Sequence, residues 1–194
     1  MMQWVFASGN LKKRREIETM LVPLSIDLLP LADTQSLEVV EDADTFAGNA
    51  RKKAEAYAQA HGLPALADDS GLCVASLNDA PGVYSARFAG DEDNNAKLMR
   101  MLEGVRQRQA YFVCALHVAF PDGQEGLHYE GRVDGTIVTE MTGDQGFGYD
   151  PLFFSPELGK TFAQASAEEK ASVSHRGRAL RGLLDDSRLH GMAR

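Results

Sequence analysis

The 194-residue sequence is short of several things, and each shortage excludes a class of protein. Cysteine occurs twice, as Cys73 and Cys114, each among apolar neighbours. That excludes a disulfide framework or a cysteine zinc site and predicts two buried, reduced thiols. No apolar run exceeds about ten residues, too short to span a bilayer. The opening MMQWVFASGN has no basic segment ahead of an apolar stretch, so no secretory leader is expected and the expected compartment is the cytoplasm. Positive charge is in the minority, with 20 Lys and Arg against 28 Asp and Glu, a net charge of -8. A general binder of nucleic-acid polymers usually carries a basic footprint, so that class is disfavoured. No repeat, low-complexity tract or Pro/Gly/Ser linker divides the chain. What remains is 44% hydrophobic and 25% charged, enough apolar surface to offset chain entropy in one domain.

Periodicity predicts a buried strand over Trp4 to Ala7, a polar turn at Ser8-Gly9-Asn10, and a helix with Ile17, Met20 and Leu21 on one face, stopped by Pro23. Ser25 to Leu29 reads as a second strand and the acidic stretch Leu31 to Asp44 as loop. An Ala-rich helix is expected from Thr45, its N-cap, to His61, with Gly62 beyond its end. Two apolar runs, Ala65 to Ala67 and Leu72 to Ser76, flank the polar knot Asp68-Asp69-Ser70-Gly71. Asp91 is the expected cap of a helix with Leu98, Met101 and Leu102 inside. Tyr111 to Phe120 and Gly126 to Val138 read as strands around the turn Pro121-Asp122-Gly123, and Pro151 to Phe154 as another. Ser166 with Glu169 forms a capping box, and Ser174 caps a final helix holding Ala179, Leu180, Leu183 and Leu184. Helices alternate with strands early and strands run consecutively later, which predicts an α/β mixed sheet flanked by helices.

Four segments carry residue types suited to one chemistry. SGNLKKRRE runs from a strand into a helix start, where unpaired amides suit phosphate oxygens. The helix dipole disfavours Lys12, Lys13, Arg14 and Arg15 there unless an anion is bound, although a solvated basic face would read the same. Asp68 and Asp69 offer hard oxygen ligands for Mg²⁺ or a group to deprotonate water, provided a turn aims both outward; an ordinary polar turn is the plainer reading. GFGYDP fails as a dinucleotide fingerprint, because Pro151 occupies the third position and a strand follows. Its glycines around Phe147 and Tyr149 suit a loop that brings a flat ligand to the backbone and a ring. In KASVSHRG, His175 and Arg176 stand in the first turn of the last helix, and Arg176 offers a planar fork for carbonyl or phosphate oxygens. Gly159-Lys160-Thr161 is not a P-loop, since Phe154 stands where the first glycine is required. Two anion-binding helix starts, a carboxylate set and a glycine-aromatic loop together describe a nucleoside polyphosphate site.

SGNLKKRRE, TFAGNARKKA, ADDSGLCV, APGVYSARFAG, GFGYDPLFF and EEKASVSHRGRAL, in that order, closely resemble the inosine/xanthosine triphosphate pyrophosphatases, which hydrolyse deaminated purine nucleotides. The resemblance covers about residues 4 to 185. It implies a single domain over residues 1–194 with a curved mixed sheet and flanking helices forming two lobes around a central cleft. It also implies a homodimer and Mg²⁺-dependent cleavage of ITP, dITP or XTP to monophosphate and pyrophosphate. By motif, Ser8, Gly9, Asn10, Leu11, Lys12 and Lys13 would cradle the triphosphate, with Asn49 and Lys53 pointing to the same place. Glu41, Asp68 and Asp69 would be the metal set, with Asp69 the proton acceptor and Ser70 touching substrate beside it. Phe147 would stack on the purine, Gly148, Tyr149 and Asp150 shape its pocket, and Lys170, His175 and Arg176 close over base and phosphates. Lys12 departs from the glycine that many members carry there. Two other readings stand beside this one: a nucleotide sensor without turnover, and a hydrolase of other modified nucleotides.

Overall fold

The computed structural model describes residues 2–192. Among these residues seven strands form one mixed sheet in the order β2-β1-β3-β4-β5-β6-β7. They are β1 (Met2–Phe6), β2 (Ile26–Leu28), β3 (Ala65–Val74), β4 (Gln109–Ala119), β5 (Leu127–Ile137), β6 (Phe153–Ser155) and β7 (Lys160–Thr161). β1 is parallel to β2 and to β3, in the register Val5 to Ala65, whereas β6 is antiparallel to β5 and β7. Among the described residues six helices accompany them: α1 (Leu11–Leu21), α2 (Phe46–His61), α3 (Asn94–Met101), α4 (Ala167–Val173), α5 (His175–Leu184) and α6 (Ser187–Met192). The expected α/β class, a mixed sheet flanked by helices, is what forms. No helix among the described residues is long and apolar enough to cross a membrane.

The chain divides into two compact units, and the divisions fall inside β3, β4 and β5. The first holds residues 2–69, 114–130 and 179–192; the second holds 70–113 and 131–178. Strand alternation gives the first unit two cores. Trp4, Phe6 and Leu66 pack with Ile17 and Leu21 of α1, Leu180 and Leu183 of α5, and Leu189 of α6. Val5, Ala7, Ala65 and Ala67 pack with Ala54, Tyr57 and Ala58 of α2. The second unit has its own core, in which Leu72, Phe112, Val133 and Phe153 meet Leu98 of α3 and Leu102, its C-cap. Its rings interlock, with Phe112 and Phe153 centroids 4.7 Å apart and Phe153 and Phe162 centroids 4.9 Å apart. Each such ring contributes about 1.5–3 kcal/mol by burial. Gly135 admits this packing, because a Cβ there would lie 2.5 Å from the Phe153 ring.

Several expectations are corrected. The DDSG segment is no turn: β3 runs unbroken through it, with neighbours β1 and β4 available to pair its backbone. Asp93, not Asp91, caps α3, accepting from the Ala96 amide at 2.8 Å. Met101 is exposed rather than part of that helix's apolar stripe. Arg14 is not an anion ligand on the basic helix start; it is buried, paired with Glu18 and donating to the Leu28 carbonyl. The 3₁₀ segment Gly82–Arg87 and helix α6 have no counterpart in the sequence reading. Both cysteines are buried and neither forms a disulfide, and the Ser166–Glu169 capping box is present.

Candidate active site

In the first unit, β1 delivers the chain to the turn before α1. Asn10 is the N-cap there, its Oδ1 accepting from the amides of Lys12 and Lys13 at 3.0 and 3.1 Å. The Ser8 hydroxyl accepts from the Asn10 amide at 3.2 Å. The expected phosphate turn is therefore an ordered cap, with Leu11 and Lys12 exposed. Lys13 leaves the turn to reach β3, its Nζ lying 3.1 Å from Asp68 Oδ2.

Continuity of β3 decides what the two carboxylates can do. Asp68 shares the parity of Leu66 and meets Lys13 of α1, whereas Asp69 shares that of Ala65 and Ala67 and meets α2. Asn49, fully buried on α2, accepts from the Ala43 amide at 3.0 Å and donates through Nδ2 to Asp69 Oδ2 at 3.1 Å. Its amide thus orients the carboxylate. One turn on, Lys53 Nζ lies 3.2 Å from Glu41 and 3.9 Å from Asp69. Gly48 of the same helix allows this approach, since a Cβ there would meet that of Ala43 at 2.7 Å. Burial pushes the Asp69 carboxyl up to about 6, opposed by Lys53 and the Asn49 hydrogen bond and reinforced by Glu41. A carboxylate titrating near the working pH suits a general base.

A pocket of about 200 Å³ adjoins this group, lined by Ser8, Gly9, Ser36, Leu37, Glu41, Lys53 and Tyr57 among others. Ser36, Leu37 and Tyr57 carry no chemical signature in the sequence; Tyr57 holds the loop by accepting from the Leu37 amide at 3.1 Å. A larger hollow of about 540 Å³, lined by Arg51, Glu55, His117 and Gly123 to Gly126, contains none of the expected site residues. Among the described residues, no three His, Cys, Asp or Glu side chains gather as a metal cluster. Glu41 and Asp69 flank one ammonium instead, a place already suited to a cation. Mg²⁺ takes one or two carboxylates with waters and substrate phosphates, so these hard oxygen donors fit it.

In the second unit, the loop before β6 is closed by Asp150, whose Oδ2 accepts from the Phe147 amide at 2.8 Å and from Lys170 Nζ at 2.7 Å. Gly146 is required, because a Cβ would fall 2.0 Å from that oxygen and its φ is +71°. Lys170 Nζ stands 4.7 Å from the centre of the half-buried Phe147 ring, and the Arg176 guanidinium 5.8 Å. The Tyr149 hydroxyl, kept protonated by burial, donates to the Ser85 carbonyl at 2.9 Å. Arg176 donates to the Ser70 hydroxyl at 3.1 Å. His175 stacks on Phe112 at 4.7 Å and 12°, so packing fixes its plane. Ser174 accepts from the Gly177 amide at 3.1 Å, as a cap of α5 should. Gly177 is needed because a Cβ would lie 1.9 Å from the Ala171 carbonyl oxygen.

The structure therefore brings Asn49, Lys53, Glu41 and Asp69 together, pairs Lys13 with Asp68, and groups Phe147, Asp150, Lys170 and Arg176. The Ham1 family model matches residues 4–186. A dITP/XTP pyrophosphatase of Syntrophobacter fumaroxidans is 52% identical over 181 residues, 91% of this chain and 78% of that protein. One from Thermus thermophilus is 51% identical over 190 residues, 95% of this chain and 91% of that protein. Among solved structures, the Ham1 protein of Staphylococcus aureus superposes with a TM-score of 0.83 at 38% identity, covering 98% of this chain and 99% of that one. A HAM1 protein from Coxiella burnetii gives 0.85 at 38% identity, covering 94% and 96%. With the motifs, the fold and nearly the whole length in agreement, the chain belongs to the Ham1 family.

Proposed function

We propose that this chain is a Mg²⁺-dependent nucleoside-triphosphate pyrophosphohydrolase that converts dITP, ITP and XTP to the monophosphate and pyrophosphate. The enzyme class is that of the named relatives. The observation that carries the reading is Asp69: a buried carboxyl raised to about 6, oriented by Asn49 and flanked by Lys53. Such a group takes a proton from water at neutral pH, which readies the water to break the anhydride between the α- and β-phosphates. Lys53, Lys13 and the Ser8–Lys13 turn hold the phosphates. Glu41 and Asp69, which flank the Lys53 ammonium, would hold Mg²⁺, while Asp68 stays on the other face of β3 against Lys13; the bound ion would offset the charge on the phosphates and the leaving pyrophosphate. Ser70 follows Asp69 in the chain and, tied to Arg176, touches the substrate.

The base is handled by the second unit's set. Phe147 stacks on the purine, while Lys170, His175, Arg176 and the Gly148–Asp150 backbone surround it. Hypoxanthine and xanthine present a carbonyl at C6 where adenine presents an amino group. A donor aimed there pairs with the first two and faces another donor in the third. Leaving that group unpaired costs about 1–3 kcal/mol, which gives roughly tenfold to several-hundredfold discrimination.

The test is a nucleotide panel with Mg²⁺, read as pyrophosphate release. Deaminated purine triphosphates should be the best substrates, and chelation should abolish turnover. Orthophosphate as the sole inorganic product would make the protein a phosphatase. Tight dITP binding without any product would make it a sensor, although carboxylates such as Glu41 and Asp69 beside a polyanion suit a pure binder poorly. The homodimer is part of the same proposal; gel filtration should give twice the monomer mass, and the monomer mass would refute it.

A further inference from the structure

We propose that Asn95, in the first turn of α3, is a positioning residue for the base loop and thereby sets the protein's selectivity among purines. The proposal rests on the pyrophosphohydrolase reading above. Nothing in the chemistry of α3 singles out Asn95; what distinguishes it is where its amide goes.

Phe147 is flanked by Gly146 and Gly148, both at positive φ, +71° and +59°. Glycines flanking a stacking ring leave the peptide planes on either side free to rotate. The Phe147 amide is clamped within the loop by Asp150. The Gly148 carbonyl is clamped from outside it, by Asn95 Nδ2 at 3.0 Å. The neighbouring Asn94 Nδ2 reaches the Ser85 carbonyl at 3.2 Å, the same oxygen that receives the Tyr149 hydroxyl at 2.9 Å. The start of α3 therefore fixes the loop at two successive residues, Gly148 directly and Tyr149 through Ser85.

The Asn95 amide has a second property that helix stability does not explain. Its Oδ1 is buried and has no hydrogen-bond partner. A buried acceptor left unsatisfied is unfavourable, and Asn is an indifferent helix former. Turning the amide over would set two acceptors against each other at Gly148. The orientation observed is thus the one that serves the loop. Asp93 already caps the helix, so Asn95 is not needed for that either. Selectivity follows because the edge of a purine is read by groups whose direction depends on those two peptide planes. Released, the ring and backbone sample several poses, and a base that fits one of them loses its advantage.

The experiment compares wild-type protein with Asn95→Asp and Asn95→Ala, using dITP, XTP and dGTP, with thermal melting measured in parallel. Asp is nearly isosteric but replaces the donor with an acceptor facing the Gly148 carbonyl; Ala only removes the clamp. KM for dITP should rise about tenfold in the Asp variant and less in the Ala variant, with kcat changed less than about threefold and the preference for dITP over dGTP narrowed. Melting temperatures should stay near the wild-type value. KM within twofold of wild type in both variants would overturn the proposal. So would a fall in kcat at constant KM, or a loss of folding in both, which would make Asn95 a structural residue. If wild-type protein released no pyrophosphate from any of the three, the functional reading itself would fail. Wild-type turnover with unaltered variants would leave that reading intact and remove only this one.

Discussion

Asp69 is held in the folded protein at an energetic cost. Its carboxyl titrates at about 6 rather than its ordinary 3.8, chiefly through burial. The folded state therefore binds this proton more tightly than the unfolded chain does. The resulting stability is fully present below about 3.8 and is lost as pH rises through about 6. Asp69→Asn removes the charge and keeps the shape. In metal-free protein at pH 8, the variant should be more stable than wild type by about 1–3 kcal/mol in denaturant titration, while pyrophosphate release disappears. Wild-type kcat should fall on the acid side as Asp69 takes up its proton. Near-normal turnover by the variant would remove Asp69 from the role of base. Lys13→Ala should destabilise the protein by about 1–3 kcal/mol, because it withdraws a cation from the fully buried Asp68. At this scale much of the site was legible: charged and aromatic residues announce themselves by type. What escaped were amides acting on other groups. Asn49 reads as a ligand in its motif, but its hydrogen bond to Asp69, 20 positions away, leaves no local sign, and Asn95 has none because its partner lies 53 positions away.

Elements were harder to read where tertiary pairing outweighs local preference. Asp-Asp-Ser-Gly has turn composition, yet β3 passes through it, with Lys13, Asn49 and Lys53 meeting the two carboxylates. No window on the sequence contains those partners. Caps were easier, since a cap is a contact between close neighbours: Thr45, Ser166 and Ser174 stand as expected. The α4–α5 corner supplies an element-scale test. Gly177→Ala would drive a methyl to 1.9 Å from the Ala171 carbonyl oxygen, so the corner must open. A loss of about 1–3 kcal/mol in stability is expected. Because His175 and Arg176 ride on that first turn, kcat/KM for dITP should fall more than a similarly destabilised variant remote from the site. An equal fall in both would reduce Gly177 to a packing role.

Across the whole molecule, fold class was legible because alternation of helices and strands is written in hydrophobic periodicity. The division of the first unit into two cores was not, since Trp4, Val5, Phe6 and Ala7 form a single apolar run. Net charge misled in a related way. A sum of -8 points away from polyanions, but it hides local pairings in which Lys13, Lys53 and Lys170 each face a carboxylate. A triphosphate thus meets a repulsive far field and cations at close range. Raising KCl from about 50 to about 300 mM screens both, so kcat/KM for dITP should change less than about threefold. A steep fall with salt would instead show attraction acting at long range.

The unbroken course of β3 also makes its spacing a kind of address. Asp68 and Asp69 are chemically identical, and only their parity along the strand sends one to α1 and the other to α2. Losing or gaining one residue between Ala65 and Asp68 would exchange their destinations without altering the composition of the site. Evolution can vary loop lengths around this strand far more freely than it can vary the count of residues within it.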